Sequence, residues 1–578
     1  KKGNVYSIYY NLLFRVYKTK MKDLYILRDR YSINNNLVFK KAEKITFFMT
    51  ERSIKFQMFS HFDKLLDATK FIYGGNDGEL EISIVFDNTL NEDGYILKIN
   101  KNKEVKIKAK NERAIRYAVA TLNKLTYRDG DDLVVPITTI NDYPSFKLRG
   151  IIEGFYGTPW SHENRLDVID FMDKHRLNIF MYAPKDDLYH RDKWRELYPE
   201  KELSQFIAYK NKCDEKAIEF YYCISPGKDF NYADENDFLL LFKKVDQVIA
   251  NGVHNFAVLM DDIDYELSEE NKKIFKRPGV AHAYVLNKIN DYIKGQTLNY
   301  DLVMCPTEYY QPWDSVYRTD LRLKLAANIK VVHTGDRVCA EVIDEQHAID
   351  IKEIYQHEIL LWENYPVNDF WKSRIFLGPI INRTSHLSKH FKSMVSNPMN
   401  QWHASKISLV TIAHYMWNSD KYDPEKSLEL GIREVVADKH FADMLTFVRA
   451  NTLCTLTNDD SFKHESWVNN GKTDQIIKYY KNLKASSKRL LKSDYEIIKE
   501  IKPWLERAVK EANIVEKILN KTITKEEIIQ LYEKPVILGD EILNLLIKKE
   551  KLLTEKEYEQ HIKPLLGNLW WKVWEDKL

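Results

Sequence analysis

Residues 255–262 read Asn-Phe-Ala-Val-Leu-Met-Asp-Asp, a short apolar run that ends in two adjacent acids, Asp261 and Asp262. An uninterrupted apolar run of this length is typical of a strand that is buried on both faces, as in a parallel sheet. Acids placed directly after such a strand lie at the edge of the sheet, where side chains meet solvent. An acidic surface turn is the more common reason for such a pair, so the pair alone does not establish a catalytic site.

Similar apolar runs, each ending in polar residues, recur through the central third of the chain. Helix-length segments, such as residues 161–176 and 237–252, separate most of them. Buried strands that alternate with helices predict a (β/α)₈ barrel of the α/β class, with a doubly wound open sheet as the alternative fold. No glycine-rich turn of the dinucleotide-binding type follows the first run, which disfavours the open sheet. The eight runs are residues 150–153, 178–182, 220–224, 256–260, 302–305, 329–333, 359–362 and 375–377.

The carboxyl ends of barrel strands carry the active site in enzymes of this architecture. Every predicted strand end in this chain delivers polar or aromatic side chains to that rim. Polar residues at a single strand end are typical of an ordinary surface loop, whereas polar residues at all eight strand ends favour an enzyme. The predicted ends are residues 153–156, 185–187, 225–229, 261–262, 307–309, 334–337, 362–364 and 382–384.

The flanking sequence predicts a domain on each side of the barrel. Residues 1–20 are predicted to form a tail or a truncated leader, and residues 21–145 an N-terminal α+β domain. In that domain residues 81–86 and 104–109 alternate as strands do, and residues 111–125 form an amphipathic helix. The catalytic barrel is predicted at residues 146–435. Residues 436–578 carry apolar residues at helical spacing and predict a C-terminal helical bundle.

Composition excludes several classes of function. With 87 basic and 85 acidic residues among 578, the formal net charge of +2 gives no field that would attract nucleic acid or an anionic membrane. The five cysteines are scattered without any C-x-x-C spacing, which argues against a disulfide framework or a structural zinc site. No apolar stretch reaches the length of a membrane span. Localisation stays uncertain, with the cytoplasm slightly favoured over secretion, and the oligomeric state is not predicted.

Residues 149–160, Arg-Gly-Ile-Ile-Glu-Gly-Phe-Tyr-Gly-Thr-Pro-Trp, strongly resemble the opening motif of glycoside hydrolase family 84. That family contains the O-GlcNAcases and the bacterial β-N-acetylglucosaminidases once called hyaluronidases. Further motifs of the family follow in the same order, at residues 182–187, 256–263, 304–309, 334–338, 362–364 with Asp369, and 397–399. The resemblance implies a glycoside hydrolase of the β-N-acetylhexosaminidase type that needs no metal and no cofactor. It also implies a GlcNAc-bearing glycoprotein or glycan as the substrate.

The mechanism implied by the resemblance is that of a retaining exo-β-N-acetylglucosaminidase without an enzymic nucleophile. The 2-acetamido oxygen of terminal β-linked GlcNAc, including O-GlcNAc on Ser or Thr, would attack the anomeric carbon and form an oxazoline. Asp261 would orient the acetamido group, and Asp262 would protonate the leaving oxygen and then activate water. Neighbouring residues on a strand point to opposite faces, so both acids serve one sugar only where the strand gives way to a loop. Their closeness should also separate their protonation.

The resemblance assigns substrate binding to ten further residues. Gly154 through its backbone, together with Lys185, Asn364, Asp369 and Asn397, would hold the sugar hydroxyls or order the acid pair. Cys305, Tyr309, Thr334 and Trp362 would form the acetamido pocket, with Tyr309 hydrogen-bonded to the attacking oxygen, and Val338 is the tenth. Two alternatives stay open: a chitinase-like endo-hydrolase that shares barrel and mechanism, and a catalytically silent GlcNAc-binding protein.

Overall fold

The computed structural model describes residues 23–42, 44–49, 69–73, 80–452, 454–456, 462–539 and 542–566. The chain divides into two compact units, residues 1–147 with 414–422 and residues 148–413 with 423–578. The predicted tail at residues 1–20 lies outside the described residues. The predicted domain boundaries stay predictions.

The first unit is a mixed β-sheet with a long amphipathic helix, as the sequence predicts for an α+β domain. Its strands are β1 (Asp29–Phe39), β2 (Ile45–Met49), β3 (Thr69–Tyr73), β4 (Leu80–Phe86), β5 (Tyr95–Ile99), β6 (Glu104–Ala109), β7 (Tyr127–Asp129) and β8 (Asp132–Asp142). The sheet runs in the order β1-β8-β5-β6-β4-β2-β3, and β7 pairs with β8. Helix α1 (Glu112–Leu125) begins at Asn111, whose side chain accepts from the Ala114 N–H. The predicted strands at 81–86 and 104–109 and the predicted helix are therefore confirmed.

The second unit is built around a closed parallel barrel of eight strands, which confirms the predicted fold class. In chain order these are β9 (Leu148–Ile152), β10 (Ile179–Tyr182), β11 (Glu219–Ile224), β12 (Asn255–Leu259), β13 (Asp301–Cys305), β14 (Lys330–His333), β15 (Ile359–Glu363) and β16 (Ser393–Ser396). Each pairs with its neighbours in sequence, and β16 closes the barrel on β9. Alternate residues fill the interior, for example Ala257 and Leu259 of β12 and Val303 and Cys305 of β13.

The prediction of an eighth strand at residues 375–377 is wrong. These residues are buried, but their backbone groups bond to a loop and a helix: the Leu377 N–H donates to the Asn451 carbonyl (3.1 Å), and the Phe376 carbonyl accepts from the Ser408 hydroxyl (3.2 Å). The eighth strand is β16, whose sequence Ser-Met-Val-Ser contains only two apolar residues. Residues 382–384 are consequently not a strand end, and Asn397 follows the eighth strand instead.

Helices connect the barrel strands and continue beyond them. Around the barrel lie α2 (His162–Lys174), α3 (Glu200–Glu215), α4 (Glu235–Ala250), α5 (Glu269–Phe275), α6 (Pro278–Gln296), α7 (Val316–Lys324), α8 (Glu345–Tyr355) and α9 (Leu387–His390), followed by α10 (Trp402–Trp417) and α11 (Pro424–Val435). The helix predicted within residues 161–176 is confirmed as α2, and the Ser161 side chain accepts from the Asn164 N–H where the helix begins.

The C-terminal region is helical, as predicted. It contains α12 (Phe441–Arg449), α13 (Phe462–Asn469), α14 (Thr473–Leu490), α15 (Glu496–Leu519), α16 (Lys525–Tyr532), α17 (Ile542–Lys549), α18 (Glu555–His561) and α19 (Lys563–Leu566). Buried Leu483, Leu490, Leu505 and Ala508 contribute to its core. None of the helices in the described part of the chain combines the length and apolar character that a bilayer crossing needs.

Candidate active site

The acid pair lies where strand β12 ends and the backbone changes direction. Ala257 and Leu259 point into the barrel, and period-two alternation directs Asp261 to the same side. Met260 is still tied to the neighbouring strand, since its N–H donates to the Cys305 carbonyl at 2.8 Å. Asp262 has a φ of +47°, which breaks the alternation. The two adjacent carboxylates therefore occupy different surroundings.

Asp261 sits at the top of the barrel interior. Its Oδ1 atom is buried, and no residue in the described part of the chain offers it a hydrogen bond. Burial raises the pKa of Asp261, the Lys185 ammonium opposes that rise, and the charge of Asp262 adds to it. A buried carboxylate oxygen without a partner is costly unless a ligand supplies a donor. Asp261 therefore marks the point where a donor group of a ligand fits.

Asp262 is exposed and receives a hydrogen bond from Tyr156. The Tyr156 hydroxyl donates to Asp262 Oδ2 at 2.7 Å, and its backbone N–H donates to Asp369 Oδ2 at 2.8 Å. Lys185 Nζ lies 4.7 Å from the centre of the Tyr156 ring. Tyr156 thus joins Asp262, Asp369 and Lys185, which come from the ends of different strands.

A chain of amide contacts forms one side of the site. The Gly154 N–H donates to Asn397 Oδ1 at 3.2 Å, and Asn397 Nδ2 donates to Asn364 Oδ1 at 3.1 Å. Asn364 Oδ1 also accepts from Trp362 Nε1 at 2.9 Å, while Asn364 Nδ2 donates to the Val338 carbonyl at 2.8 Å. Five of the predicted residues are therefore joined directly, although Val338 takes part through its backbone.

Cys305, Tyr309 and Trp362 meet on the inner side of the site. Cys305 and Trp362 belong to the barrel interior, and Tyr309 packs against that cluster. Burial raises the pKa of the Tyr309 hydroxyl and of the Cys305 thiol, and the charges of Asp261 and Asp262 raise both further. Both groups stay neutral near pH 7, so Tyr309 remains a hydrogen-bond donor.

Two further predicted residues are tied to this core. The Thr334 N–H donates to the Tyr309 carbonyl at 2.9 Å, while the Thr334 hydroxyl donates to the Arg337 carbonyl at 3.1 Å. Burial raises the pKa of Asp369, and the Tyr156 N–H and the Lys185 charge oppose the rise. The predicted site residues thus gather at one rim of the barrel.

The sequence analysis missed the role of Tyr156 and the presence of Arg191. Tyr156 stood among the predicted strand-end residues and within the motif at residues 149–160, but neither signal assigned it a role. Arg191 follows the loop after β10 and its Nη2 lies 3.3 Å from the Tyr156 hydroxyl. Nothing in its sequence context points to the site.

A buried ion pair stands beside the segment that carries Trp362 and Asn364. Arg383 and Glu363 are almost fully buried and form a two-pronged contact, with Nε to Oε2 at 2.7 Å and Nη2 to Oε1 at 3.0 Å. Arg383 also donates to the carbonyls of Ala340 and Glu341, in the loop after β14. This pair fixes the segment that contains Trp362 and Asn364 against the neighbouring loop.

Comparison with known proteins identifies the family. A model described as beta-N-acetylglucosaminidase matches residues 149–449, more than half of the chain. Protein O-GlcNAcase of Rattus norvegicus is 34% identical over 272 residues, which is 46% of this chain and 29% of the rat protein, and the Mus musculus protein matches equally. The chain thus spans less than a third of the length of these curated relatives.

Solved structures agree with this assignment over a longer part of the chain. The structure of CpGH84B is 25% identical with a TM-score of 0.78, and the match covers 90% of this chain and 98% of that one. A mutant of the Thermobaculum terrenum O-GlcNAc hydrolase is 27% identical with a TM-score of 0.64, covering 70% of this chain and 94% of that one. The resemblance to glycoside hydrolase family 84 is confirmed, and the chain belongs to the beta-N-acetylglucosaminidase family of glycoside hydrolases.

Proposed function

We propose that the chain is a retaining exo-β-N-acetylglucosaminidase that hydrolyses terminal β-linked GlcNAc by substrate-assisted catalysis. The observation that carries the proposal is the unequal setting of the acid pair. Asp261 has a buried oxygen without a partner, whereas Asp262 lies exposed against the Tyr156 hydroxyl. Two carboxylates on adjacent residues suit adjacent carbons of one sugar, the exception to the usual pair on opposite sides of the bond.

In this mechanism the acetamido oxygen attacks the anomeric carbon while the glycosidic bond breaks. Asp261 accepts a hydrogen bond from the acetamido N–H and balances the positive charge that develops on the oxazoline. Asp262 gives its proton to the leaving oxygen. As a base it then takes a proton from the water that opens the oxazoline, and the anomeric configuration is retained. Tyr309 donates to the attacking oxygen and orients it.

The pocket supports selectivity for the N-acetyl group. Trp362 and Cys305 supply an apolar wall, and Tyr309 supplies a donor beside it. A site built to hydrogen-bond a substrate group rejects analogues that lack the group, because its own buried polar atoms are then left unpaired. Gly154, Asn364 and Asn397, with Lys185 and Asp369, would hold the sugar hydroxyls.

The names of the relatives support the proposed substrate class. The rat and mouse proteins are named Protein O-GlcNAcase, and the Thermobaculum terrenum relative is an O-GlcNAc hydrolase. We therefore include GlcNAc on Ser or Thr of glycoproteins among the substrates. A chitinase-like activity predicts attack on internal bonds of chitin oligomers, whereas an exo-enzyme releases single GlcNAc residues from one end. A silent binding protein predicts no turnover at all.

The test is hydrolysis of 4-nitrophenyl β-GlcNAc and of an O-GlcNAc peptide by wild type and Asp262→Asn. We expect kcat/KM of the variant to fall about 10²- to 10⁴-fold on the peptide, the usual contribution of general acid catalysis. The loss should be smaller on the nitrophenyl substrate, whose leaving group needs little protonation. Asp264→Asn is the matched control, since Asp264 is exposed and its one hydrogen-bond partner among the described residues is the nearby Glu266 N–H. Unchanged hydrolysis by Asp262→Asn would disprove the assignment of the general acid.

A further inference from the structure

The loop between β13 and α7 wraps around one buried guanidinium. Arg318 of α7 is fully buried. Its Nη1 donates to the carbonyls of Gln311 (3.0 Å) and Trp313 (2.9 Å), and its Nη2 donates to those of Glu308 (3.1 Å) and Tyr310 (2.6 Å). Four backbone carbonyls from six consecutive residues therefore converge on one side chain.

This arrangement determines the shape of the loop. A guanidinium is planar, and its donors have fixed directions, so each carbonyl is held at a defined angle. The nearest carboxylate to Arg318 in the described structure is Glu308, whose Oε2 lies 4.0 Å from Nε. The four backbone carbonyls therefore provide most of the stabilisation of the buried Arg318 guanidinium charge. Gln311 has a φ of +95°, a conformation that the surrounding contacts must hold in place.

Tyr309 lies between two of the carbonyls that Arg318 binds. Its neighbours Glu308 and Tyr310 are fixed by Arg318, and its own carbonyl accepts the Thr334 N–H at 2.9 Å. The Tyr355 hydroxyl adds a second donor to the Glu308 carbonyl, at 2.9 Å. The backbone around Tyr309 is therefore held from three sides. Its side chain packs against the interior cluster, close enough to Asp261 and Asp262 for both charges to raise the pKa of its hydroxyl.

We propose that Arg318 is a positioning residue for the reaction, acting through Tyr309 to place the phenol against the acetamido oxygen. This role rests on the proposed function and extends it. All four carbonyls belong to the loop that carries Tyr309. The hydrogen bonds of Arg318 therefore order this loop, and with it the Tyr309 side chain, rather than joining distant elements. Because small errors of placement at a reacting group cost large factors in rate, kcat should depend on Arg318 more than KM does.

A double-mutant cycle between Arg318→Lys and Tyr309→Phe tests the proposal. Lysine keeps a buried cation but supplies a point charge instead of a fork. We expect Arg318→Lys to lower kcat on 4-nitrophenyl β-GlcNAc by about 30-fold or more in the Tyr309 background and by less than about threefold in the Tyr309→Phe background. Arg149→Lys is the matched control. Arg149 is also fully buried and its Nε donates to the Arg176 carbonyl at 3.0 Å, but it lies in the first half of β9, before the rim.

Tyr355→Phe provides a milder variant if Arg318→Lys does not fold. It removes one donor to the Glu308 carbonyl, and its smaller loss of kcat should likewise disappear in the Tyr309→Phe background. Equal losses in both backgrounds would overturn the positioning role and leave the proposed function intact, as would unchanged kcat in Arg318→Lys and in Tyr355→Phe. A wild type without turnover would overturn the proposed function and the positioning role with it.

Discussion

Gly154→Ala should disable the site through the Trp362 ring rather than through the acids. A Cβ atom on residue 154 would lie 2.6 Å from Cζ2 and 3.0 Å from Cη2 of Trp362. Carbon atoms in ordinary contact lie about 3.5–4.0 Å apart, so the ring must move by about 1 Å. The ring is rigid and belongs to the packed barrel interior, which leaves it little room.

The displacement would spread through the amide contacts. Trp362 Nε1 donates to Asn364 Oδ1, and the same oxygen accepts from Asn397 Nδ2. Asn397 in turn accepts the N–H of residue 154 itself. Forcing extra volume into a packed interior costs about 1–3 kcal/mol, and a shift of about 1 Å at a substrate-binding wall costs about 10²-fold in rate. We expect a folded enzyme with a slightly lower Tm and kcat/KM reduced about 100-fold.

The assay measures kcat/KM on 4-nitrophenyl β-GlcNAc beside a thermal melt. Gly295→Ala is the matched control, because among the described residues its added Cβ would meet nothing within 4 Å beyond its chain neighbours and the backbone of its own helix, and its φ is not positive. Residue 295 lies in α6, where alanine is favoured over glycine by up to about 1 kcal/mol, so this variant should keep its activity and its Tm should not fall. A folded Gly154→Ala variant with wild-type kcat/KM would refute the reasoning, because Trp362 would then have room that the structure does not give it.

Three further substitutions test other contacts of the structure. Tyr156→Phe removes the hydroxyl that holds the Asp262 carboxyl in place, and because small errors of placement at a reacting group cost large factors in rate, it should lower kcat about tenfold or more in the same assay. Asp261→Asn should abolish most turnover yet raise Tm near pH 7. Folding raises the pKa of this carboxyl, so its ionised form costs stability as the pH rises, and the neutral amide avoids that cost. A lower Tm for the variant would contradict this. Burial raises the pKa of Glu500 to about 7, although the Ala404 N–H donates to this carboxylate at 3.0 Å. The stability that this group contributes is full below about pH 4.5 and is lost as the pH rises to about 7, so the wild type should lose up to about 3 kcal/mol over this window. Chemical denaturation of Glu500→Gln should show a flatter pH dependence.

The sequence predicted the barrel because buried parallel strands are continuous apolar runs. Seven of the eight strands contain such a run, and the strand ends gave the rim correctly for those seven. Strand β16 was not predicted because it begins and ends with serine, which interrupts the apolar run. Those serines are buried with their hydroxyls bonded: Ser393 donates to Glu358 Oε1 at 3.1 Å, and Ser396 donates to the Tyr365 carbonyl at 2.6 Å. Residue type alone does not distinguish a serine that has such a partner from one in solvent.

The candidate site was predictable where a motif carries the residue and not where tertiary contacts do. Asp261, Lys185 and Tyr309 stand in recognisable motifs, and the structure brings them to one rim. Arg318 and Arg383 donate to backbone carbonyls of loops. Every residue has such a carbonyl, so the sequence does not show which of them a guanidinium binds. Which loop bends around which guanidinium is decided by the packing of α7 and of the segment after β15. No periodicity in the sequence records that choice.

The division of labour proposed for the acid pair depends on one backbone angle. Had Asp262 continued the strand, alternation would turn its carboxylate away from the barrel interior and from Asp261. A φ of +47° instead directs it to the Tyr156 hydroxyl. Among acidic residues aspartate enters this left-handed region most readily, because its short side chain bonds locally to the backbone. Position 262 therefore requires a carboxylate and a residue that tolerates positive φ, and aspartate meets both requirements where glutamate meets only the first.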